Sequence, residues 1–289
     1  MAMATTAVFN SRDLLLQPLP DLNISPRRTT SHALHRVHFV GVLQPWANFE
    51  LDVMNTFNAQ TWSLQHLDSR ITGPAAAGSV DEEQVFVSNE RGVQGRLEGR
   101  AGLVLGAAFR VQQLDLVLGD PRGALPPYRG YLRQPDFVMK TSSDVAKIVG
   151  EGKTPWIDEH DLDNALWNFE AGLNGRLFRH QLGQTYATMF DSRAHTYIGQ
   201  IAEYMFDMRL KYGFITTYSH TMFLRKVDVG WAWGLEYSPV ILHSAVGSTT
   251  GQQVSVCQSF FHVGLLALAN SDFDTNTGIR TQRWTERFS

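Results

Sequence analysis

The sequence predicts an α/β domain in which a mixed central sheet carries helices on both faces. Three observations point there. Segments of helical and of strand period follow one another in the order helix, hairpin, helix, hairpin, which suits a sheet layered with helices. The chain has 289 residues, 43% of them hydrophobic and 11% aromatic, enough to bury a sizeable core. Charged residues make up only 18%, a globular composition and not a disordered one.

The elements are read in order along the chain. Residues 1–33 carry Pro, Ser, Thr and Arg with little periodicity. They are expected as a flexible N-terminal tail with one short docking segment at Asp13–Leu16. A single domain is expected over 34–270, with its core at about 85–240, and residues 271–289 are expected as a polar C-terminal tail. Ala33–Leu43 reads as a strand, PWANFELDVMNTFNAQTW as a short helix or an edge strand, and Ile71–Ser79 as a loop of small residues. Ser88-Asn89 offers an N-cap to a helix in which Val93, Leu97, Val104 and Phe109 recur at helical intervals, though the glycines from Gly92 to Gly106 weaken it. Gly119–Gly123 and Leu125–Pro127 are turns.

Pro135–Thr141 and Val145–Lys153 read as an antiparallel hairpin around Ser142-Ser143-Asp144. Trp156–His160 is expected as an acidic loop and Leu162–Leu173 as a helix. Leu182–Leu210 is expected as a long helical region broken near Asp191–His195. Gly213–Tyr218 and Thr221–Val227 form a second hairpin around Ser219-His220, Val229–Ile241 adds a strand, and Val254–Ala269 is an apolar helix.

Charge and cysteine content narrow the function. The formal net charge is −3, so the basic surplus common in proteins that coat duplex DNA is absent, and any nucleic-acid contact must come from a local basic patch. The one cysteine, Cys257, permits neither an internal disulfide nor a cysteine metal site. No secretory signal is read at the N-terminus, and no stretch reaches the roughly 18 apolar residues that span a bilayer. The expectation is a soluble, intracellular protein (cytoplasmic or nuclear) with no membrane partner.

The first hairpin carries the chemistry. Glu151 and Lys153 are two apart on a strand and share a face, and Asp136 begins the partner strand near the open end. Two carboxylates suit Mg²⁺, which prefers oxygen ligands and retains waters, and a neighbouring lysine can orient or deprotonate a water or stabilise a phosphate in flight. By spacing alone the same residues read as a solvated salt bridge at a strand end.

Pro135-Asp136 followed by Glu151-Gly152-Lys153 resembles the signature of the PD-(D/E)XK nuclease superfamily, which includes restriction enzymes, Holliday-junction resolvases and RecB-type exonucleases. The stretch QPDFVMKTSSDVAKIVGEGKTPW is similar to a large group of filamentous-fungal proteins with this signature. Gln200-Ile201-Ala202-Glu203-Tyr204 matches the QxxxY motif of the RecB-like branch, whose Gln and Tyr share one helical face. Phe214–Lys226 resembles the strand pair that follows that helix; Arg225 and Lys226 could contact phosphate, but read first as a solvated face. The superfamily often places a Glu on its first core helix pointing at the metal. Glu90 matches that position, with Glu98, two turns on, as its competitor. Gly152 departs from the pattern, which usually has an aliphatic residue there, and marks a bulge or a close backbone approach.

The resemblance implies a restriction-endonuclease-like fold and phosphodiester hydrolysis dependent on Mg²⁺ or Mn²⁺. Asp136 and Glu151 would hold the metal, with Glu90 as a further ligand through water. Lys153 would position or activate water, Gln200 would orient Lys153 or the water, and Tyr204 would touch phosphate or shape the pocket. The implied partner is nucleic acid, DNA ahead of RNA, with a homodimer left open because many relatives dimerise. Two other readings stand beside it: a catalytically inactive module of the same fold that binds nucleic acid or protein, and an intracellular toxin or selfish-element nuclease restrained by a partner.

Other clusters are weaker. His32, His35 and His38 fall where a strand is read and do not form one helical face. Asp158, Glu159, His160, Asp161 and Asp163 read as an acidic solvated loop. Trp156, Trp231 and Trp233 could stack bases but are more often core or interface residues. The glycines at 92, 95 and 99 do not have the dinucleotide-binding spacing.

Overall fold

The computed structural model describes residues 8–30, 37–39, 41–68, 85–119, 121–124, 134–157, 162, 192–229, 232–251, 253–271, 273 and 285–287. In chain order the N-terminal third contains β1 (Val8–Asn10), α1 (Ser11–Leu15), β2 (Asn23–Ile24), β3 (Val37–Phe39), β4 (Val42–Pro45), α2 (Phe49–Ala59), β5 (His66–Asp68) and β6 (Phe86–Val87). There follow α3 (Glu90–Leu97), a π-helical turn at Glu98–Gly102, α4 (Leu103–Val111), β7 (Val117–Gly119), β8 (Phe137–Lys140) and β9 (Ala146–Gly152). The rest comprises α5 (Ser192–Asp207), β10 (Tyr212–Thr216), β11 (His220–Val229), β12 (Ala232–Tyr237), β13 (Ile241–Leu242), α6 (Val256–Ala269) and β14 (Thr285–Arg287).

The frame is an eight-stranded mixed sheet in the order β4-β12-β11-β10-β9-β8-β7, with β13 paired to β11. Both predicted hairpins form: β8 pairs antiparallel with β9, and β10 with β11. Two pairings are parallel, β9 with β10 and β4 with β12. One hydrophobic cluster packs α1, α2, α3, α4 and α6 on one face of the sheet, through Leu15, Phe57, Leu97, Phe109 and Phe260 among others. A second packs α5 and β3 on the other, through Ile201, Met205 and Phe39. The α/β class with a mixed sheet flanked by helices is therefore as the sequence predicts. Among the described residues no helix is long and apolar enough to cross a membrane.

Local signals explain several elements. Asn89 caps α3 by accepting from the Gly92 N–H at 2.9 Å, as its side-chain type predicts. The glycine-rich stretch after it stays helical but slackens into the π turn before α4 begins. Ser255 and Gln258 form a capping box at the start of α6. The stretch after Pro45, open between helix and strand, forms α2, which buries Phe49, Val53 and Phe57 at helical spacing. The single strand read over Ala33–Leu43 is instead two short ones, β3 and β4, in different sheets. The small-residue loop 71–79, the turn 125–127, the acidic loop residues 158–161, the region 163–191 and His32, His35 and Trp231 lie outside the described residues.

The docking segment read at Asp13–Leu16 falls on α1 and its cap as expected, whereas the tails on either side of the domain are corrected over the parts described. Leu14, Leu15 and Leu19 are buried, and the segment is pinned by Gly247 N–H to Leu16 O (2.8 Å), Leu19 N–H to His243 O (2.7 Å) and Tyr218 Oη–H to Pro20 O (2.7 Å). At the other end β14 pairs with β3, and Phe273 O accepts from Lys226 Nζ at 2.9 Å. The reason is that too few apolar residues stand here to make a period, yet each fills a pocket whose backbone polar groups need partners.

Glycines at close approaches make the packing testable. A Cβ on Gly150 would stand 2.1 Å from Phe214 Cζ, on the ring that fills the space between β9 and β10, whereas a Cβ on Gly95 in α3 meets nothing within 4 Å. Gly150→Ala should therefore destabilise the fold by about 1–3 kcal/mol or more, while Gly95→Ala should be neutral or stabilise by up to about 1 kcal/mol. Thermal melting of the two variants beside wild type checks this, and equal shifts would contradict the placement of β9 against Phe214.

Candidate active site

The site lies at the end of β9, where the strand stops being apolar. Along β9 Ile148 and Gly150 face the first core, and the alternation puts Val149, Glu151 and Lys153 on the face that α5 covers. Pairing with β10 fixes this end, with Glu151 opposite Ile215 and Gly152 opposite Thr216. One residue further, the Lys153 N–H donates to Thr216 O at 2.8 Å, so the backbone of the lysine is held although it lies past the strand. Asp136 sits one residue before β8. Its N–H donates to Gly150 O at 3.1 Å, and its Oδ2 accepts from the Gly152 N–H at 2.8 Å.

Five residues singled out from the sequence come together here. Glu151 is 1% exposed and Lys153 3%, and Lys153 Nζ donates to Glu151 Oε1 in a very short contact. Lys153 Nζ also donates to Gln200 Oε1 at 3.3 Å, and Gln200 Nε2 donates to Tyr204 Oη at 2.8 Å. Gln200 and Tyr204 project from one face of α5, as their spacing predicts, and both are buried. Tyr204, 3% exposed, therefore meets the site through Gln200.

Glu90 is the sixth. It opens α3, is half-buried, and lies close enough for Lys153 and Asp136 to act on its charge. Its competitor Glu98 is exposed at the start of the π turn.

The electrostatics are unbalanced. Burial drives the Glu151 carboxyl up to about 8, with Lys153 pulling it down and Asp136 and Glu90 pushing it further up. Burial also raises Asp136, against the lowering effects of the Gly152 N–H, Lys153, Gln94 and Glu151. Glu90 is raised by burial as well. Lys153 loses ground to burial but is raised overall, because Glu151, Glu90 and Asp136 surround it. Three carboxyls thus face one ammonium. Among the described residues Glu151 Oε2 has no hydrogen-bond partner although it is buried, an expensive arrangement unless something positive or protic meets it.

Gln94 is a site residue that no motif marks. Four residues after Glu90 on α3, its Nε2 lies 3.5 Å from Glu90 Oε1, and its side chain hydrogen-bonds Asp136. The spacing to Glu90 was the available signal. Gly152 belongs to the same arrangement: a Cβ there would stand 3.2 Å from Gln94 Cγ and 3.4 Å from Asp136 Oδ2. The glycine lets Gln94 and Asp136 close over the strand, which accounts for its place between Glu151 and Lys153.

Among the described residues no group of three or more His, Cys, Asp or Glu side chains is gathered into a ready metal cage. A hard cation that keeps several waters needs only one or two carboxylates, so Asp136 and Glu151 fit such an ion in donor type, with Glu151 Oε2 the open oxygen. Lys226 is corrected: it is 3% exposed, bonded to Asp228 Oδ1 at 2.9 Å and to Phe273 O, and is not on a solvated face. Arg225 pairs with Glu236 and lies 4.1 Å over the Trp46 ring. No protein-family model, curated protein or solved structure matches the chain.

The raised carboxyl has a measurable consequence. Between the ordinary carboxyl value of 4.5 and about 8, the folded chain keeps a Glu151 proton that the unfolded chain has released. The folded state then binds more protons than the unfolded one, so this group's contribution to stability falls as pH rises through that window. In metal-free buffer the melting temperature of Glu151→Gln, which does not titrate, should gain on wild type from about pH 5 to about pH 8. A difference that stays constant over that range would contradict the raised carboxyl.

Proposed function

We propose that the chain is a metal-dependent nuclease of the PD-(D/E)XK kind with a restriction-endonuclease-like core, hydrolysing phosphodiester bonds of nucleic acid, DNA ahead of RNA. The observation that carries this reading is the buried Oε2 of Glu151, which has no donor among the described residues, beside Asp136 and Lys153. It stands together with the Lys153–Gln200–Tyr204 chain that the family signature implies.

Asp136 and Glu151 would hold Mg²⁺ or Mn²⁺, with Glu90 contributing through water. When bound, such an ion supplies a water of lowered pKa and neutralises charge on the phosphate. Lys153 serves as the proton-bearing group: its ammonium orients the attacking water or stabilises the phosphate oxygens. Gln200 holds Lys153 Nζ on its carbonyl side, and Tyr204 holds Gln200 from the other, so the direction of the lysine would not depend on Glu151 alone if Glu151 held a cation. Gln94 holds Glu90 and Asp136 together.

An inactive module of the same fold is the competing reading, and it is favoured by one contact: Lys153 Nζ already occupies Glu151 Oε1 without a metal. Two measurements separate them. Titration calorimetry with Mn²⁺ should show one site in wild type that is lost in Glu151→Ala. Incubation with labelled single- and double-stranded DNA and RNA in Mn²⁺ should show cleavage that falls by roughly 10²–10⁴ in Lys153→Ala and by roughly 10–100-fold in Gln200→Ala. Mn²⁺ binding without cleavage would support the inactive module, and equal cleavage by wild type and Glu151→Ala would mean a contaminating enzyme and sink the proposal.

A further inference from the structure

The N-terminal segment does more than fill the core. After β2 pairs with β6, placing Ile24 opposite Val87, the chain runs on beside the site. Ser25 N–H donates to Val87 O at 2.8 Å. Thr29 then joins two walls: its N–H donates to Ser88 O at 2.8 Å, and its carbonyl accepts from Trp156 Nε1 at 2.9 Å. Ser88 stands two residues before Glu90, and Trp156 three residues after Lys153. At the reach of an extended chain, these anchors lie within roughly 7 and 11 Å of the site residues. The strap therefore bridges the two segments that deliver Glu90 and Lys153.

The residues between its anchors are basic. Arg27 and Arg28 are exposed, and the Arg28 guanidinium lies 5.9 Å from the Trp156 ring centroid. Trp156 is itself packed against the first core, so the aromatic face under Arg28 is fixed. Arg91, beside Glu90, is also exposed. An acidic centre with a basic rim one or two nucleotide lengths away is the charge arrangement a phosphate chain needs. In a chain of net charge −3 it is also the local patch that any nucleic-acid contact requires.

We infer that Arg27 and Arg28 on this strap bind backbone phosphates of the substrate strand next to the scissile one, with Trp156 holding Arg28 in place. The inference rests on the nuclease reading and adds to it the element that grips the strand.

The test uses the full chain and a 5′-labelled single-stranded DNA, with Ca²⁺ in place of Mn²⁺ so that the strand is held and not cut. Binding is followed by anisotropy over a series of salt concentrations. Arg27→Ala/Arg28→Ala should weaken binding roughly tenfold near 0.1 M salt and make the logarithmic salt slope shallower by about 1.4, or about 0.7 for each single-strand phosphate that is no longer neutralised. Its Mn²⁺ affinity should match wild type. Arg28→Lys keeps the charge and should keep the wild-type slope, which separates a phosphate contact from mere packing on Trp156. Wild-type Mn²⁺ binding combined with an unchanged slope in the double variant would overturn the strap's role and leave the nuclease reading standing. An Arg28→Lys slope as shallow as that of the double variant would overturn the role too. No Mn²⁺ binding by wild type would overturn the nuclease reading and the inference with it.

Discussion

The end of β9 depends on a buried ion pair that would not stand alone. Glu151 and Lys153 are both almost fully removed from water, and the desolvation of two such charges can exceed what their attraction returns. The surroundings supply the difference. Thr216 O accepts from the Lys153 N–H, Gln200 Oε1 accepts a hydrogen bond from Lys153 Nζ, and the Gly152 N–H donates to Asp136. Each partner comes from a different element, namely β10, α5 and the start of β8, so the pair draws the middle of the sheet and one flanking helix to a single point. Even so the balance is acidic, with Asp136 and Glu90 adding negative charge and one Glu151 oxygen left without a donor. A fold selected for stability alone would sooner fill this place with apolar side chains. That cost is understandable if a cation completes the set.

How much of this was legible in the sequence follows the range of each interaction. Both hairpins could be read because their pairing is local and alternation marks the faces, and Asn89 because a cap acts within three residues. The Gln200–Tyr204 face could be read because a helix fixes what four residues mean. The parallel pairing of β9 with β10 and of β4 with β12 could not, since partners so far apart in the chain leave no local mark of their register. The same holds for the partners of the N-terminal segment: a docking segment could be read at Asp13–Leu16, but not that α4 and the backbone partners Ser255, Gly247 and His243 receive it. Lys226 misled for a related reason: its charge suggests solvent, but its partner Phe273 O lies 47 residues on.

Gly152 shows how one residue can weaken a pattern and complete a site. Within the signature it looks like a loss, because it fills no core pocket. In the fold, its lack of a side chain lets Gln94 and Asp136 meet above the strand, and its N–H fixes a carboxylate. Gln94 itself was hidden because a polar residue near a helix start has many uses, and only the third dimension brings it against Asp136.

The docking of α1 also bears on the order of assembly. Leu15 O accepts from Ser255, Leu16 O from Gly247, and the Leu19 N–H reaches His243 O. On a ribosome the first of these groups emerges more than two hundred residues before its partner. Leu14 and Leu15 can settle against α4 once it has emerged, but the hydrogen bonds to Ser255, Gly247 and His243 close a far longer loop and come at the end of synthesis. The wall that carries Arg27 and Arg28 needs only Val87, Ser88 and Trp156, so its anchors are complete once Trp156 has emerged. A growing chain would hold its acidic residues and the anchors of their basic rim before it held the C-terminal partners of α1.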